Sequence, residues 1–208
     1  MARFTEATLQ AYTKPPSHSE ENQLKNAERM VREAIKVHPK LKELSIETFG
    51  QGSYANNTNV KLNSDIDINV RLSSVFFYNI PQNKKATDFG LNSPTSYTFK
   101  EYKNAVQKAL ENKFGVNEVV RNDKCITVKG NTYRVETDVV PTWKHRQYNE
   151  SGTFSTGAKF ISDGSKSILN YPLQHIDNGI IKNKHTQKRF KRNVRIIDLL
   201  LYKTIDYQ

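Results

Sequence analysis

The chain has very little cysteine and no long apolar run, and each shortage excludes a class of protein. Cys125 is the single cysteine among 208 residues, so neither an internal disulfide nor a cysteine-ligated metal site can form. No apolar segment approaches the roughly 20 residues that a membrane-spanning helix needs, and the N-terminus lacks the apolar core of a signal peptide. We therefore expect a cytoplasmic protein with no membrane partner.

Acidic residues are also scarce relative to basic ones. There are 21 Asp and Glu against 32 Lys and Arg, which gives a formal net charge of +11. Such an excess favours a polyanionic partner, such as nucleoside triphosphates or nucleic acid. Residues 180–208 hold eight Lys or Arg against two Asp, and a solvated helix face explains this stretch as well as a binding surface does.

Apolar periodicity predicts an α+β domain with a mixed sheet. Ser17 and Glu20 have the spacing of a capping box ahead of a helix that ends at His38-Pro39, and a second helix is predicted over 97–114. The predicted strands are 44–49, 64–72, 116–121, 124–129, 132–143 and the edge strand 157–162. A final amphipathic helix is predicted over 187–206. Residues 1–16 end in two prolines and are predicted to be extended. This mixed order of helices and strands is typical of the α+β class.

Two aspartates share one face of the predicted strand 64–72. Residues at i and i+2 of a strand project to the same side, so Asp65 and Asp67 lie close together and repel each other. Mg²⁺ suits such a pair, because it takes oxygen ligands and keeps positions for water or substrate phosphate. Two exposed aspartates on a solvated face would produce the same short pattern, so the pair by itself does not decide.

The loop "GQGSYANN" directly upstream has the composition of a phosphate cradle. Gly50 and Gly52 would let the backbone approach an anion, and Ser53 can donate hydrogen bonds to phosphate oxygens, although an ordinary turn has the same composition. A third acid, Asp138, stands in the apolar run "ETDVVP", where an unpartnered carboxylate is costly. The loop, the paired acids and the third acid together outline a two-metal nucleotidyl-transfer site.

Three segments carry a resemblance to a known family: "GQGSYANNTNVKLNSDIDINV", "ETDVVPTW" and "ILNYPLQHIDNGIIKNKHTQKRFKRNVRII". They resemble the bacterial cyclic-oligonucleotide synthetases related to cyclic GMP-AMP synthase and oligoadenylate synthetase, within the DNA polymerase β-like nucleotidyltransferase superfamily. The resemblance implies a polymerase β-like core, with a mixed sheet flanked by helices, over residues 17–165. Residues 166–208 would then begin a C-terminal helical lobe that is expected to be truncated.

The resemblance also implies a reaction and roles for single residues. The phosphates of a nucleoside triphosphate such as ATP or GTP would be held by Gln51, Gly52 and Ser53. The catalytic and metal-binding carboxylates would be Asp65, Asp67 and Asp138, with two Mg²⁺ or Mn²⁺ ions. The product would be a cyclic di- or trinucleotide second messenger with a role in antiviral defence against phage.

One departure from the family pattern affects the last predicted helix. Related synthetases commonly have a triphosphate-contacting lysine about where Asp198 stands. The nucleotide-binding role on this helix is therefore assigned to Lys191, with Arg195 as the alternative. Outside the helix, Tyr171 is the candidate for stacking on a base, and His145 and His175 are predicted to have surface or structural roles.

Two other functions remain open at the level of the sequence. The chain could transfer nucleotides to RNA or to a protein, or it could be an inactive module that binds nucleotides or nucleic acid. The presence of all three carboxylates argues against the inactive module. Nucleic acid is compatible with the basic charge, but the predicted reaction does not require it.

Overall fold

The structure is a computed structural model that describes residues 5–14, 17–60 and 65–205. The helices in these ranges are α1 (Glu6–Tyr12), α2 (His18–Val37), α3 (Gly52–Ala55), α4 (Phe99–Phe114), α5 (Pro172–His185) and α6 (Arg189–Ile205). The strands are β1 (Ile46–Gln51), β2 (Ile66–Asn79), β3 (Val119–Arg121), β4 (Ile126–Val128), β5 (Thr137–Tyr148), β6 (Phe154–Ile161) and β7 (Ser167–Asn170). Short 3₁₀ helices cover Ala86–Phe89 and Val116–Glu118. None of the helices in the described ranges combines the length and the apolar character that crossing a bilayer requires.

These strands form one mixed sheet in the order β1-β2-β5-β4-β3. Its centre is the parallel pair of β2 and β5, and the other pairings among these strands are antiparallel. β5 is long enough to pair with β4 through residues 137–139 and with β6 through residues 143–148. β7 then extends the sheet beyond β6. The predicted α+β class with a mixed sheet is confirmed.

The helices α2 and α4 cover one face of this sheet. The buried side chains of α2 are those that the helical spacing places on one face, namely Leu24, Ala27, Val31, Ala34 and Ile35. On α4, the fully buried Tyr102 donates its hydroxyl to the carbonyl oxygen of Val70 in β2 at 2.9 Å. Full burial of one large apolar side chain contributes about 1.5–3 kcal/mol, so this layer holds β2 firmly. Because strand residues alternate, the buried Ile66 and Ile68 face the helices and Asp67 points to the opposite side.

Several predicted boundaries are confirmed. In the capping box, the backbone N–H of Ser17 donates to Glu20 Oε2 at 2.7 Å, and the backbone N–H of Glu20 donates to Ser17 Oγ at 3.4 Å. The helix α4 is capped by Gly115, whose φ of +96° suits glycine. The predicted strands 124–129 and 132–143 are also present in part, as β4 and the start of β5, and they pair with each other.

The N-terminal segment departs from its prediction. Residues 6–12 form the helix α1 rather than an extended segment, and the two prolines at 15 and 16 lie outside the described residues. The helix begins because the Thr5 hydroxyl accepts the N–H of Thr8 at 3.2 Å, which satisfies one of the free donors of the first turn. It is also held from outside, since α1 packs against α6.

Strand lengths and the C-terminal region differ from the prediction as well. β2 continues to Asn79 because, after a register shift, it pairs again with β5. The predicted edge strand 157–162 is not an edge, since β7 pairs with β6. Residues 116–118 form a 3₁₀ helix rather than the start of a strand. Helix α5 was not among the predicted elements, because its exposed apolar residues and a central glycine obscure the helical period.

A cluster of charged side chains around the buried Lys103 joins α4 to the far edge of the sheet. Lys103 is 2% exposed, and its ammonium donates to the carbonyl oxygens of Asn122 and Asp123, at 3.3 and 2.9 Å, and pairs with Asp163 at 3.1 Å. Arg121 donates to both carboxylate oxygens of Asp163, at 2.8 and 2.7 Å. Hydrogen bonding from Arg121, with a smaller contribution from Lys103, lowers the pKa of Asp163 to about 2. The Asp163 carboxylate therefore ties together three segments of the chain.

Asp163→Asn is expected to lower stability at neutral pH, and the loss should shrink as the pH falls toward 2. A carboxyl whose pKa falls from 3.8 in the unfolded chain to about 2 in the fold stabilises the fold above the unfolded value. That contribution disappears as the pH falls through the folded value. Urea unfolding at several pH values measures the difference from wild type. Glu43→Gln, whose side chain is 82% exposed, is the control, and equal losses for the two variants at neutral pH would contradict the expectation.

Candidate active site

One row of side chains crosses four strands at the end of the sheet where β1 leads into α3. In the register, Gln51 of β1 lies opposite Asp67 of β2, Asp67 lies opposite Asp138 of β5, and Asp138 lies opposite Thr127 of β4. Neighbouring strands are about 4.8 Å apart, and residues in register point to the same face. The parallel pairing of β2 and β5 therefore brings together two aspartates that are far apart in sequence.

The carboxylates of this row repel one another. Burial raises the pKa of Asp67, and the charges of Asp138 and Asp65 raise it further. Asp67 and Asp138 are half-buried, whereas Asp65 lies one residue before β2 and is exposed. Among the ion pairs within the described ranges, none involves any of these three aspartates. A divalent cation would neutralise this concentration of negative charge.

The three aspartates are not gathered into a complete metal cage. In the part of the chain that the structure describes, no group of three or more His, Cys, Asp or Glu side chains could hold a metal ion. Asp67 and Asp138 nevertheless fit Mg²⁺, because this ion is usually held by one or two carboxylates together with waters and substrate phosphates. The facing pair of carboxylates on β2 and β5 therefore provides the number of protein ligands that is common in Mg²⁺ sites.

Gly52 brings the backbone next to Asp67. Its φ is +66°, a left-handed conformation that costs other residues about 1–2 kcal/mol. A Cβ at this position would also collide with the Asp67 carboxylate. Gly50 is different, because it lies inside β1, where a Cβ would meet the Tyr54 ring at 3.1 Å. Gly50 therefore serves packing, and only Gly52 brings the backbone close to the acidic row.

The loop after β1 holds its carbonyl groups inward. The carbonyl oxygen of Gly52 accepts the side-chain amide of Asn56 at 3.1 Å, and the carbonyl oxygen of Ser53 accepts the N–H of Thr58 at 2.9 Å. Ser53 itself is exposed, in the first turn of α3, where N–H groups have no partner within the helix. Such an arrangement suits the binding of an anion beside the two aspartates.

A cleft separates the acidic row from α5. Its first cavity, of about 520 Å³, is lined on the sheet side by Gln51, Gly52 and Asp67. The other lining residues are Asn170, Tyr171, Pro172, Gln174, His175 and Asn178. A second cavity of about 570 Å³ reaches Ser53 and continues between α5 and α6 to Lys182 and Phe190. These volumes are typical of small-molecule sites, so the cleft can accept a nucleotide.

Thr127 is a polar support for the row that had no signal in the sequence. Its hydroxyl donates to Asp138 Oδ1 at 2.5 Å and accepts the side-chain amide of Asn122 at 2.8 Å. The Asp138 carboxylate is therefore oriented by a neighbouring strand. Only the pairing of β4 with β5 could have indicated this contact, and a sequence pattern does not give that register.

Asn69 forms a second support, buried two residues beyond Asp67 on the same face of β2. Its amide nitrogen donates to Gln51 Oε1 at 3.0 Å, and its amide oxygen accepts the hydroxyl of Thr142 at 2.7 Å. Asn69 is 1% exposed. The side-chain oxygen of Gln51 is thus occupied by Asn69. The predicted nucleotide-binding role of Gln51 is therefore limited to its side-chain NH₂ group and its backbone.

Lys191 does not lie in the cleft with Asp67. It lines a separate basic cavity of about 590 Å³, together with Lys14, Lys188, Arg192 and Arg195. Burial, and to a smaller extent the charge of Arg195, lower the pKa of Lys191. The predicted contact of Lys191 with nucleotide phosphates therefore stays a prediction that needs this cavity to take part.

Arg195 joins three segments of the chain. Its guanidinium donates to the carbonyl oxygens of Thr13 and Asn57, both at 2.7 Å, and to Asn57 Oδ1 at 2.9 Å. Asn57 ends the loop that begins at Gly52. Arg195 thereby fastens α6 and the end of α1 to the loop of the candidate site.

The remaining predicted residues fall into two groups. His145 is fully buried in β5, and burial lowers the pKa of its imidazole, with a smaller contribution from the charge of Lys159. His175 is exposed on α5 and lines both cavities of the cleft, and Tyr171 lines the first. Tyr171 therefore lies where a nucleotide base could reach it.

Known proteins are similar to this chain in sequence and in fold. No family model matches the chain. Over 206 residues it is 59% identical to the cyclic dipyrimidine nucleotide synthase CdnE of Cecembia lonarensis. The matched residues cover 99% of this chain and 70% of that relative. The chain belongs to the CdnE family of cyclic nucleotide synthases. It is also 36% identical over 231 residues to the cyclic GMP-AMP synthase CdnE03 of Staphylococcus schleiferi, covering 98% of this chain and 71% of that relative.

A solved CdnE structure agrees with the fold. The Rhodothermus marinus c-UMP-AMP synthase with Apcpp and Upnpp has a TM-score of 0.85 and 27% identity, covering 98% of this chain and 69% of that chain. The polymerase β-like architecture implied by the resemblance is confirmed. As a CdnE-family enzyme, the protein is a nucleotidyltransferase that forms cyclic dinucleotides from nucleoside triphosphates.

Proposed function

We propose that this CdnE-family enzyme joins pyrimidine nucleoside triphosphates into a cyclic dinucleotide. The register that sets Asp67 against Asp138 beside Gly52 supports the nucleotidyl transfer. The base class is supported by the 59% identity, over nearly the whole chain, to a relative whose name specifies a cyclic dipyrimidine product. The relative named for a cyclic GMP-AMP product is less similar, at 36%.

In this proposal the loop and the acidic row divide the work. The exposed Ser53 and the backbone of Gly52 bind the phosphates of the donor nucleotide. Asp67 and Asp138 bind the metal, and Asp65 joins them from the strand entrance. Thr127 holds the Asp138 carboxylate in place through its hydrogen bond of 2.5 Å. Gln51 contributes through its backbone, since its side chain accepts from Asn69.

The family's divalent ions would add chemistry that the side chains lack. Two Mg²⁺ or Mn²⁺ ions would lower the pKa of the attacking hydroxyl and neutralise the leaving pyrophosphate. The protein's own contribution is to hold the α-phosphate beside Asp67 and Asp138, so that a hydroxyl of the second nucleotide is aligned with it.

The division into a core and a helical lobe is also proposed. The predicted core ended at residue 165, but β7 pairs with β6 and extends the sheet to Asn170. We place the boundary after Asn170, where α5 begins. The lobe then consists of α5 and α6 in the described residues, and it forms one wall of the cleft.

The test is to incubate the purified chain with each pair of the four nucleoside triphosphates and Mg²⁺ or Mn²⁺. We expect a phosphatase-resistant cyclic dinucleotide, identified by mass spectrometry, whose yield is highest with UTP or CTP. The variant Asp67→Asn is the blank for the synthesis. A purine-only product would overturn the proposed base class.

Other outcomes separate the remaining functions. Labelled nucleotide that stays on RNA or on a protein would support transfer to a macromolecule instead. Nucleotide binding without turnover, equal in wild type and Asp67→Asn, would support an inactive binding module. The proposed role in defence against phage is tested by plaque assays of cells that express the wild-type chain or its Asp67→Asn variant.

A further inference from the structure

The interior of α5 contains a glycine that touches the phosphate-binding loop. Gly179 is buried in the middle of α5, and a Cβ at this position would collide with Asn56 Oδ1. Its backbone is that of an ordinary right-handed helix, so φ does not require glycine here. In a helix interior, alanine is normally more stable than glycine. The close approach to Asn56 is therefore what the missing side chain permits.

Asn56 cannot simply swing away from such a collision. It is 6% exposed, and its side-chain amide donates to the carbonyl oxygen of Gly52 at 3.1 Å. The backbone N–H of Asn56 donates to the same carbonyl oxygen at 3.2 Å. Both hydrogen bonds hold Gly52, and moving the amide breaks one of them.

Gly52 is in turn fitted against the acidic row. A Cβ on Gly52 would collide with the carboxylate of Asp67, so the backbone there lies directly on this side chain. A continuous line of contacts thus runs from α5 through the Asn56 amide and Gly52 to Asp67. The two glycines of this line, Gly179 and Gly52, lie on either side of Asn56, and neither has room for an added methyl group.

We propose that Asn56 is a positioning residue for nucleotidyl transfer, which sets the distance between Gly52 and Asp67 according to where α5 docks at Gly179. This proposal rests on the proposed function of Gly52 and Asp67. It assigns no contact with substrate to Asn56 or Gly179. Their effect passes through the placement of the phosphate loop beside the acidic row.

Gly179→Ala separates this proposal from its alternative by the sign of the effect. If the contact matters, the methyl group displaces the Asn56 amide, and the melting temperature falls by about 2–4 °C. The KM for the triphosphate and the Mg²⁺ concentration for half-maximal activity should both rise about tenfold, because a small misplacement of phosphate costs that much. In open space the same substitution would raise the melting temperature and leave both constants unchanged.

The double variant Asn56→Ala/Gly179→Ala makes the test specific. Removing the Asn56 side chain makes room for the new methyl group, so the double variant should be no worse than Asn56→Ala alone. Ile180→Ala, at a residue that is 53% exposed on the same helix, should leave the KM and the melting temperature near wild type.

Each outcome decides. Additive effects in the double variant would overturn the proposal, and so would a melting temperature that rises in Gly179→Ala. A lower melting temperature with unchanged KM and Mg²⁺ dependence would make the contact purely structural, which also overturns it. If Asn56→Ala does not fold, Gly179→Ala still decides by its melting temperature taken together with its KM and its Mg²⁺ dependence. If wild type makes no product, the proposed function fails, and melting with and without Mg²⁺ still tests the contact.

Discussion

Asp67→Asn and Asp138→Asn should each lower cyclic dinucleotide synthesis by at least about a thousandfold while leaving the protein folded. Metal-assisted stabilisation of the reacting phosphate is worth several kcal/mol, and each 1.36 kcal/mol is a factor of ten in rate. An amide in either position removes a negative charge that the ions need. Product formation from nucleoside triphosphates, measured by mass spectrometry, gives the loss.

The stability of Asp67→Asn should change in the opposite direction to its activity. The pKa of Asp67 is raised by burial and by the charges of Asp138 and Asp65, so its protonated form favours the fold. That contribution is present below its ordinary pKa and is lost as the pH rises through the folded value. At neutral pH without metal, the neutral amide should therefore melt at a temperature equal to or above that of wild type.

Melting with Mg²⁺ provides the check on this pair of effects. Mg²⁺ should raise the melting temperature of wild type, since it binds the folded state, and should raise that of either variant much less. Glu136→Gln is the matched control, because Glu136 is an exposed carboxylate two residues before Asp138. Equal activity of Asp67→Asn and Glu136→Gln, or an equal response to Mg²⁺, would refute the assignment.

Gly52→Ala is expected to lower kcat/KM for the triphosphate by about a hundredfold or more. The new alanine would have to adopt the left-handed φ of +66° at this position, and its methyl group would collide with the Asp67 carboxylate. The backbone that binds phosphate must then move away from the acidic row, and a displacement of about 1 Å can cost a hundredfold in rate. Steady-state kinetics with the preferred nucleotide pair measures the loss.

Gly90→Ala isolates the collision from the backbone strain. Gly90 has a similar φ of +69°, but nothing lies within 4 Å of the Cβ that it would gain. Both variants should lose about 1–2 kcal/mol of stability from the left-handed conformation. Only Gly52→Ala should lose activity, and a similar activity loss in Gly90→Ala would mean that strain, rather than the contact with Asp67, is responsible.

Local elements of the fold could be predicted because their causes are local. The capping box at Ser17, the buried face of α2 and the glycine end of α4 depend on residues only a few positions apart. α5 could not be recognised in this way, since part of its apolar surface is exposed and its central glycine serves a distant contact. The full length of β2 was missed for a related reason, as its last residues are held by β5 after a register shift.

The candidate site, too, has features that could be predicted from the sequence and features that could not. The residue types that are available can be read from the sequence: two aspartates at a strand spacing, a glycine and a serine ahead of them, and a third acid in an apolar run. Which of these residues lie next to each other depends on the strand pairing. The parallel register of β2 and β5 sets Asp67 against Asp138, and Asp65 stays exposed at the strand entrance.

The tertiary structure also decided what supports the site and what lies outside it. Thr127 reaches Asp138 across β4, Asn56 connects the loop to α5, and Lys191 lines a different cavity from the one beside Asp67. The physical reason is that chemistry is carried by single side chains, whereas distance is set by strand register and helix docking. The sequence shows which side chains are present, but it does not show the strand register and the helix docking that set the distances between them.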